Sequence, residues 1–168
     1  AFIILAFAQP IIPVNDTLKA GIRNVSVFVD NSFSMQSFGK ELSLFDRARQ
    51  KAKDVIIGYG QEDHFQVLGH DLSPSQNQWI SREEALVRLE EMEYTPNVKP
   101  LSVIAGRQKQ NFAREDGNPV SWMISEFQKS IFDLTMTDTL NTINLLPLSG
   151  VQEKNVAIDS AWFESPVQ

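Results

Sequence analysis

Apolar residues along the chain follow two patterns, short compact runs and stripes at helical spacing. The run Val25–Val29 is rich in β-branched residues, which is typical of a strand buried on both faces of a parallel sheet. A helix is predicted to begin after Ser43, which has Asp46 three residues on, as in a capping box. Its apolar stripe consists of Leu44, Phe45, Ala48, Ala52, Val55, Ile56 and Tyr59. Gly58 and Gly60 are expected to end it.

The rest of the chain continues to alternate between strand and helix patterns. Strands are predicted at 64–71, 120–125, 142–148 and 155–163, with a short hairpin arm at 77–80. Helices are predicted after the capping box of Ser81 and Glu84, over 101–112, and as a short segment at 130–136. Strands alternating with helices predict an α/β fold, with a mostly parallel central sheet and helices on both of its faces.

Composition adds few positive indications and several exclusions. The chain has 168 residues, which suits one domain, and a net charge of −6. Its basic residues are scattered, so no nucleic-acid surface is expected. Cysteine is absent, which excludes disulfides, thiol catalysis and cysteine metal sites.

The two ends of the sequence suggest that a longer protein surrounds this domain. Residues 1–8 are all apolar, and three interpretations are open: the end of a transmembrane helix, the end of a signal peptide, or a buried strand. We therefore divide the chain into a transmembrane or juxtamembrane segment or leading strand at 1–14, a domain at 15–150, and an exit strand at 151–168. The exit strand would lead toward a further domain.

Polar side chains follow the first predicted strand at regular spacing, as Asp30, Ser32 and Ser34. Ligands of parallel α/β sheets bind at the carboxyl ends of the strands, which is where this stretch lies. Three hard oxygen atoms at close spacing suit a hard cation such as Mg²⁺. The alternative is an ordinary turn, since Asp, Asn and Ser are common turn residues.

The stretch "VSVFVDNSFSM" resembles the first motif of von Willebrand factor A (vWA) domains, whose metal-ion-dependent adhesion site (MIDAS) begins Asp-x-Ser-x-Ser. The similarity extends over about Val25–Leu148 in the order of elements. It implies a Rossmann-like, three-layer α-β-α fold and a non-enzymatic domain that binds protein partners. It further implies Mg²⁺, or else Mn²⁺ or Ca²⁺, at the ligands Asp30, Ser32, Ser34 and Glu126. Expected partner contacts are Asn31, Phe33, Thr95 and Lys99.

The sequence departs from the vWA pattern at two places, which leaves metal binding open. Glu126 stands where the family has an aspartate, and the extra methylene changes the reach of the carboxylate. The family's threonine has no clear counterpart, because Thr95 comes several residues early and Ser102 slightly late. Lys99 lies near the threonine position, and its ammonium could replace the cation.

The flanking sequences "FAQPIIP" and "NVAIDSAWFESPV" resemble those of the membrane-anchored BatA-type proteins of bacteria, which are linked to aerotolerance. This resemblance favours the transmembrane interpretation of residues 1–8. It implies a domain on the periplasmic side of the inner membrane. It also implies partners such as other Bat-type proteins or an AAA+ ATPase of the MoxR type.

Two alternative functions remain, a vWA scaffold without a metal and a metal-dependent phosphatase or hydrolase on a similar sheet. His64 and His70 are six residues apart, on the same face of one predicted strand; they could be ligands, but are interpreted as ordinary strand residues near its two ends. No Gly-x-Ser-x-Gly elbow is present, which argues against a catalytic triad. Trp122 is expected in the core. Trp162 and Phe163 are expected either in a core or over the exit of the chain.

Overall fold

The computed structural model of the protein describes residues 21–36, 42–134 and 143–149. The expected segment 1–14, the exit strand at 155–163 and the pair Trp162–Phe163 lie outside these residues. Within the described ranges, no helix is both long and apolar enough to cross a membrane.

Over the described residues, four parallel strands form one sheet, and three α-helices lie between the first and the third strand along the chain. The elements are β1 Arg23–Val29, α1 Leu44–Ile57, β2 His64–Leu68, α2 Arg82–Glu90, α3 Leu101–Phe112, β3 Asn118–Ser125 and β4 Ile143–Pro147. The strand order is β2-β1-β3-β4, and every neighbouring pair is parallel. The predicted α/β class and Rossmann-like arrangement are confirmed.

Local signals place the helix ends as the sequence predicts. The Ser43 hydroxyl accepts a hydrogen bond from the Asp46 amide at 3.0 Å, and donates one to the Asp46 carboxylate at 2.7 Å. The capping box of Ser81 and Glu84 is complete, at 3.3 and 3.2 Å. Helix α1 ends at Gly58. The side chains of Ser43, Ser81 and Glu84 accept hydrogen bonds from backbone amides that the start of a helix leaves without partners.

The sheet carries a different core on each face. Val25, Val27 and Val29 of β1 face α1 and α2, in an apolar cluster that includes Ala48, Ala52, Ile56, Ala85 and Leu89. Phe28, in contrast, faces α3, together with Leu68, Met123, Leu101 and Ile104. Alternate residues of a strand point to opposite faces, so the even-numbered residues of β1 point toward α3.

The α3 face is only partly apolar. Below the row of Phe28 lies a buried polar row in which Ser26 donates to the Gln66 side chain at 2.8 Å. Gln108 of α3 donates to the Ser26 carbonyl at 3.1 Å. Nε2 of Gln66 and Oε1 of Gln108 are buried and have no hydrogen-bond partner within the described part of the chain. Trp122, expected in the core, is half-buried and donates to the Tyr59 hydroxyl at 2.9 Å.

The short helix predicted at 130–136 is wrong for residues 130–134, which form a turn and an irregular segment. The segment instead caps α3, because Pro100 at the start of that helix offers no capping side chain. Ile131 accepts from the Leu101 amide at 3.0 Å, and Asp133 accepts from the amide and hydroxyl of Ser102 at 2.8 and 2.6 Å. The predicted hairpin arm is present as one antiparallel bridge between Ile80 and Phe65.

Candidate functional site

The polar residues after β1 lie where the order of strand addition in the sheet reverses. The chain passes from β1 to β2 on one side and then to β3 on the other, so the carboxyl ends of β1 and β3 adjoin a topological switch point. Such points are where open α/β sheets bind ligands. Asp30 follows β1 there, and Ser125 is the last residue of β3.

The register of the sheet aligns three polar residues in one row. Phe28 pairs with Leu68 of β2, and Val29 pairs with Ile124 of β3. Continuing the register beyond these pairs sets Asp30 beside His70 on one side and Ser125 on the other. Hydrogen bonds join both pairs: His70 Nε2 lies 3.1 Å from Asp30 Oδ1, and the Ser125 hydroxyl donates to Asp30 Oδ2.

Asp30 is a fully buried carboxylate surrounded by donors. Besides His70 and Ser125, the amide and the hydroxyl of Ser32 donate to its Oδ1 at 3.0 and 2.7 Å. Burial acts to raise the pKa of Asp30, but the hydrogen bonds from His70, Ser125 and Ser32 outweigh it and hold the pKa below its ordinary value. The site therefore keeps a negative charge inside the protein.

His70 is a site residue that sequence reasoning missed. Its interpretation as an ordinary strand residue was wrong, because β2 ends at Leu68 and the fully buried His70 ring contacts Asp30. The amide of Lys99 donates to Nδ1 at 3.1 Å, so Nε2 carries the proton that is shared with Asp30. Both ring nitrogens are thus engaged, and neither is available to activate a serine. The sequence feature that could have indicated His70 is its position just after β2, the strand that pairs with β1.

The hydroxyl groups of Ser32 and Ser34 lie beside Asp30, and Thr95 contacts the same loop from the segment before α3. Oγ of Ser32 and Oγ of Ser34 are 2.9 Å apart. Thr95 forms a parallel bridge with Ser32, and its amide donates to the Asn31 carbonyl at 2.9 Å. The structure therefore places Thr95 at the site, although it comes six residues before α3 begins.

The other residues named from the sequence are placed differently. Glu126 is half-buried and accepts from the Gln128 side chain at 2.6 Å. No hydrogen bond among the described residues joins Glu126 to Asp30. Asn31 is buried, donating to the Glu93 carbonyl at 2.7 Å and accepting from the His70 amide at 2.9 Å. Its side chain braces the loops around the site.

An open cleft of about 480 Å³ adjoins the two serines. Phe33, Val98 and Lys99 have exposed side chains on its walls. The described residues that line it are Ser32, Phe33, Ser34, Thr95, Pro96, Val98, Lys99, Pro100, Gln128, Ser130 and Ile131. Ser102, bound to Asp133, is not among them.

The oxygen atoms of Asp30, Ser32 and Ser34 are spaced as hydrogen-bonded neighbours, which is also the spacing of adjacent ligands around Mg²⁺. Neighbouring ligands of an octahedral ion with bonds of ~2.1 Å are roughly 3.0 Å apart. The distances from Ser32 Oγ to Ser34 Oγ and to Asp30 Oδ1 are 2.9 and 2.7 Å. In the part of the chain that the structure describes, no group of three acidic, histidine or cysteine side chains could hold a metal. A Mg²⁺ site here would therefore have a single carboxylate.

Acidification is expected to destabilise the protein through Asp30. Because its pKa is lowered in the folded state, the stabilisation is complete above the ordinary carboxyl value of about 3.9 and is lost as pH falls through the folded value. Urea unfolding in metal-free buffer between pH 2 and 6 measures this. Below about pH 4 the free energy of unfolding should fall less steeply for Asp30→Asn than for the wild type. Equal slopes would contradict the assignment.

No protein-family model matches the chain, and a search of curated proteins finds no match.

Proposed function

We propose that this chain is a non-enzymatic, vWA-like protein-binding domain that docks a partner at the cleft beside Asp30, Ser32 and Ser34. The supporting observation is that one buried, ionised carboxylate and two adjacent hydroxyl groups converge at the switch point of the sheet, next to an open cleft. The carboxyl ends of β1 and β3 hold Asp30 and Ser125, while the cleft leaves one side of the two serines open.

The chain's own residues prepare this site in a simple way. His70 and Ser125 fix the Asp30 carboxylate, and Asp30 in turn orients the Ser32 hydroxyl. A divalent cation bound by Asp30, Ser32 and Ser34 would supply the positive charge that attracts a carboxylate of the partner. Few negative ligands leave such a cation electron-poor, which favours an acidic group from outside.

The wider setting of the proposal rests on the resemblance to BatA-type proteins. On this resemblance, the domain would belong to a bacterial inner-membrane protein, anchored through a membrane segment of which residues 1–14 are the end, and would face the periplasm. Its partners would be other Bat-type proteins or a MoxR-type AAA+ ATPase.

The cation is tested by thermal unfolding during titration with Mg²⁺ or Mn²⁺. An ion at 100 times its Kd stabilises the folded state by about 2.7 kcal/mol, which is a rise in Tm of about 5–11 °C for a chain of this size. Ser34→Ala should remove most of the rise. Ser75→Ala is the matched control, because Ser73 and Ser75 are an exposed hydroxyl pair also 2.9 Å apart, but without a hydrogen-bonded carboxylate.

Two outcomes would count against the cation. If neither ion changes the Tm of the wild type, the site acts without a metal, and the alternative of a metal-free scaffold replaces it. If Ser34→Ala shows the same rise in Tm as the wild type and the control Ser75→Ala, the ion binds elsewhere.

A further inference from the structure

The cleft beside the serines has an apolar rim around its polar floor. Phe33 lies between Ser32 and Ser34 in the chain, and its side chain is 51% exposed. Val98, on the loop that precedes α3, is 44% exposed and lines the same cleft. An exposed aromatic residue at a cleft is typical of a binding hot spot, since most apolar side chains of this size are buried.

Phe33 is supported from beneath by other aromatic rings. Its ring stacks on Tyr94, with centroids 6.3 Å apart and planes inclined by 26°. Tyr94 packs against the buried Phe45 at 4.7 Å, and its hydroxyl donates to Ser43 at 3.3 Å. We call Phe33, Tyr94 and Phe45 the aromatic shelf. A supported ring loses little conformational entropy when a partner covers it, which favours binding.

The charge of the cleft favours an acidic occupant. Among the described residues that line the cleft, Lys99 is the single charged one, whereas the chain as a whole carries a net charge of −6. A cationic segment would meet Lys99 without a lining carboxylate to balance it. A segment with one carboxylate can instead approach both Lys99 and the proposed cation held at Asp30, Ser32 and Ser34.

We infer that the cleft takes a peptide segment in which a carboxylate side chain is adjacent to a large apolar side chain. The inference rests on the proposed function and adds a specificity determinant to it. The carboxylate lies at Lys99 and at the proposed cation beside Ser32 and Ser34, and the apolar side chain covers Phe33 and Val98. The aromatic shelf thus selects among acidic partners according to the residue that neighbours the acid.

The probes are three synthetic peptides, titrated with Mg²⁺ present into the ¹⁵N-labelled chain and followed by NMR. They are acetyl-Leu-Asp-Phe-amide, its Asn analogue without the charge, and acetyl-Gly-Asp-Gly-amide without the apolar groups. We expect the first peptide to shift the backbone amide signals of Ser32–Met35, of Thr95 and of 97–99. Each of the other two should bind at least ~10-fold more weakly, which corresponds to about 1.4 kcal/mol.

Variants of the chain separate the shelf from the polar floor. Phe33→Ala should weaken acetyl-Leu-Asp-Phe-amide about 10-fold and leave acetyl-Gly-Asp-Gly-amide unchanged. Phe132→Ala is the matched control, because Phe132 is 44% exposed but does not line the cleft. It should change neither affinity. Far-ultraviolet circular dichroism checks that each variant is folded.

The possible failures are distinguishable. If Phe33→Ala binds all peptides like the wild type, or if the Gly-flanked peptide binds as well as the Leu-Asp-Phe peptide, the role of the shelf is wrong. The proposed function would survive that result provided that Ser34→Ala still abolishes the Mg²⁺-dependent rise in Tm. If no peptide shifts the cleft signals although Mg²⁺ binds through Ser34, the inference alone fails. Loss of both responses removes both.

Discussion

Replacement of Asp30 by alanine is expected to lower the free energy of unfolding by about 3–5 kcal/mol. The carboxylate is fully buried and accepts hydrogen bonds from His70, Ser125 and Ser32. Alanine would leave these donors without partners inside the protein, where each unpaired polar group costs about 1–3 kcal/mol. Urea denaturation monitored by tryptophan fluorescence measures the change.

Asp133→Ala is a suitable control for this result. Asp133 also accepts two hydrogen bonds, from the amide and hydroxyl of Ser102, but on the exposed start of α3. Loss of this exposed cap is expected to cost far less stability than loss of the buried Asp30 carboxylate, since water can replace the Asp133 carboxylate. If Asp30→Ala is no more destabilising than Asp133→Ala, the donors around Asp30 are satisfied in some other way. The site would then not depend on the carboxylate.

Asn31→Ala is expected to lower the free energy of unfolding by about 2–3 kcal/mol. The side chain is 3% exposed and joins two loops, donating to the Glu93 carbonyl and accepting from the His70 amide. Its loss leaves two backbone groups without partners, at about 1–3 kcal/mol for each one that water cannot reach. The same denaturation experiment applies.

Asn97→Ala provides the comparison on the neighbouring loop. Asn97 is exposed, and its substitution should change stability by less than about 0.5 kcal/mol. The pair also tests the sequence-based expectation that Asn31 contacts a partner. Weaker peptide binding by Asn31→Ala at unchanged stability would favour that contact over the bracing role.

Local patterns predicted the elements of this fold well, because their causes lie within a few residues. Ser43 and Ser81 cap helices through groups three residues away, and Gly58 ends a helix by its own position. The run Val25–Val29 is buried because it packs against helices on both sides. The helix predicted at 130–136 is wrong over residues 130–134 for the opposite reason. The conformation of these five residues follows from capping α3, which begins about 30 residues earlier in the chain.

The candidate site was only partly predictable, because most of it is assembled across strands. Asp30, Ser32 and Ser34 are close in sequence, and the structure brings them together. His70 and Ser125 reach Asp30 from positions 40 and 95 residues away, which no local spacing reveals. The sequence pointed to Glu126, whereas its neighbour Ser125 is the residue that contacts Asp30.

The register of three parallel strands has a consequence for how this site can change. His70, Asp30 and Ser125 meet because the register of β2, β1 and β3 aligns the residues at their carboxyl ends. Deleting a single residue from β2 would carry Asp71 toward the place of His70 and set two acids side by side. An insertion there would offer Gly69 and its bare backbone instead. A change in the length of one strand would thus change which residue faces Asp30, without any amino-acid substitution at this edge of the sheet.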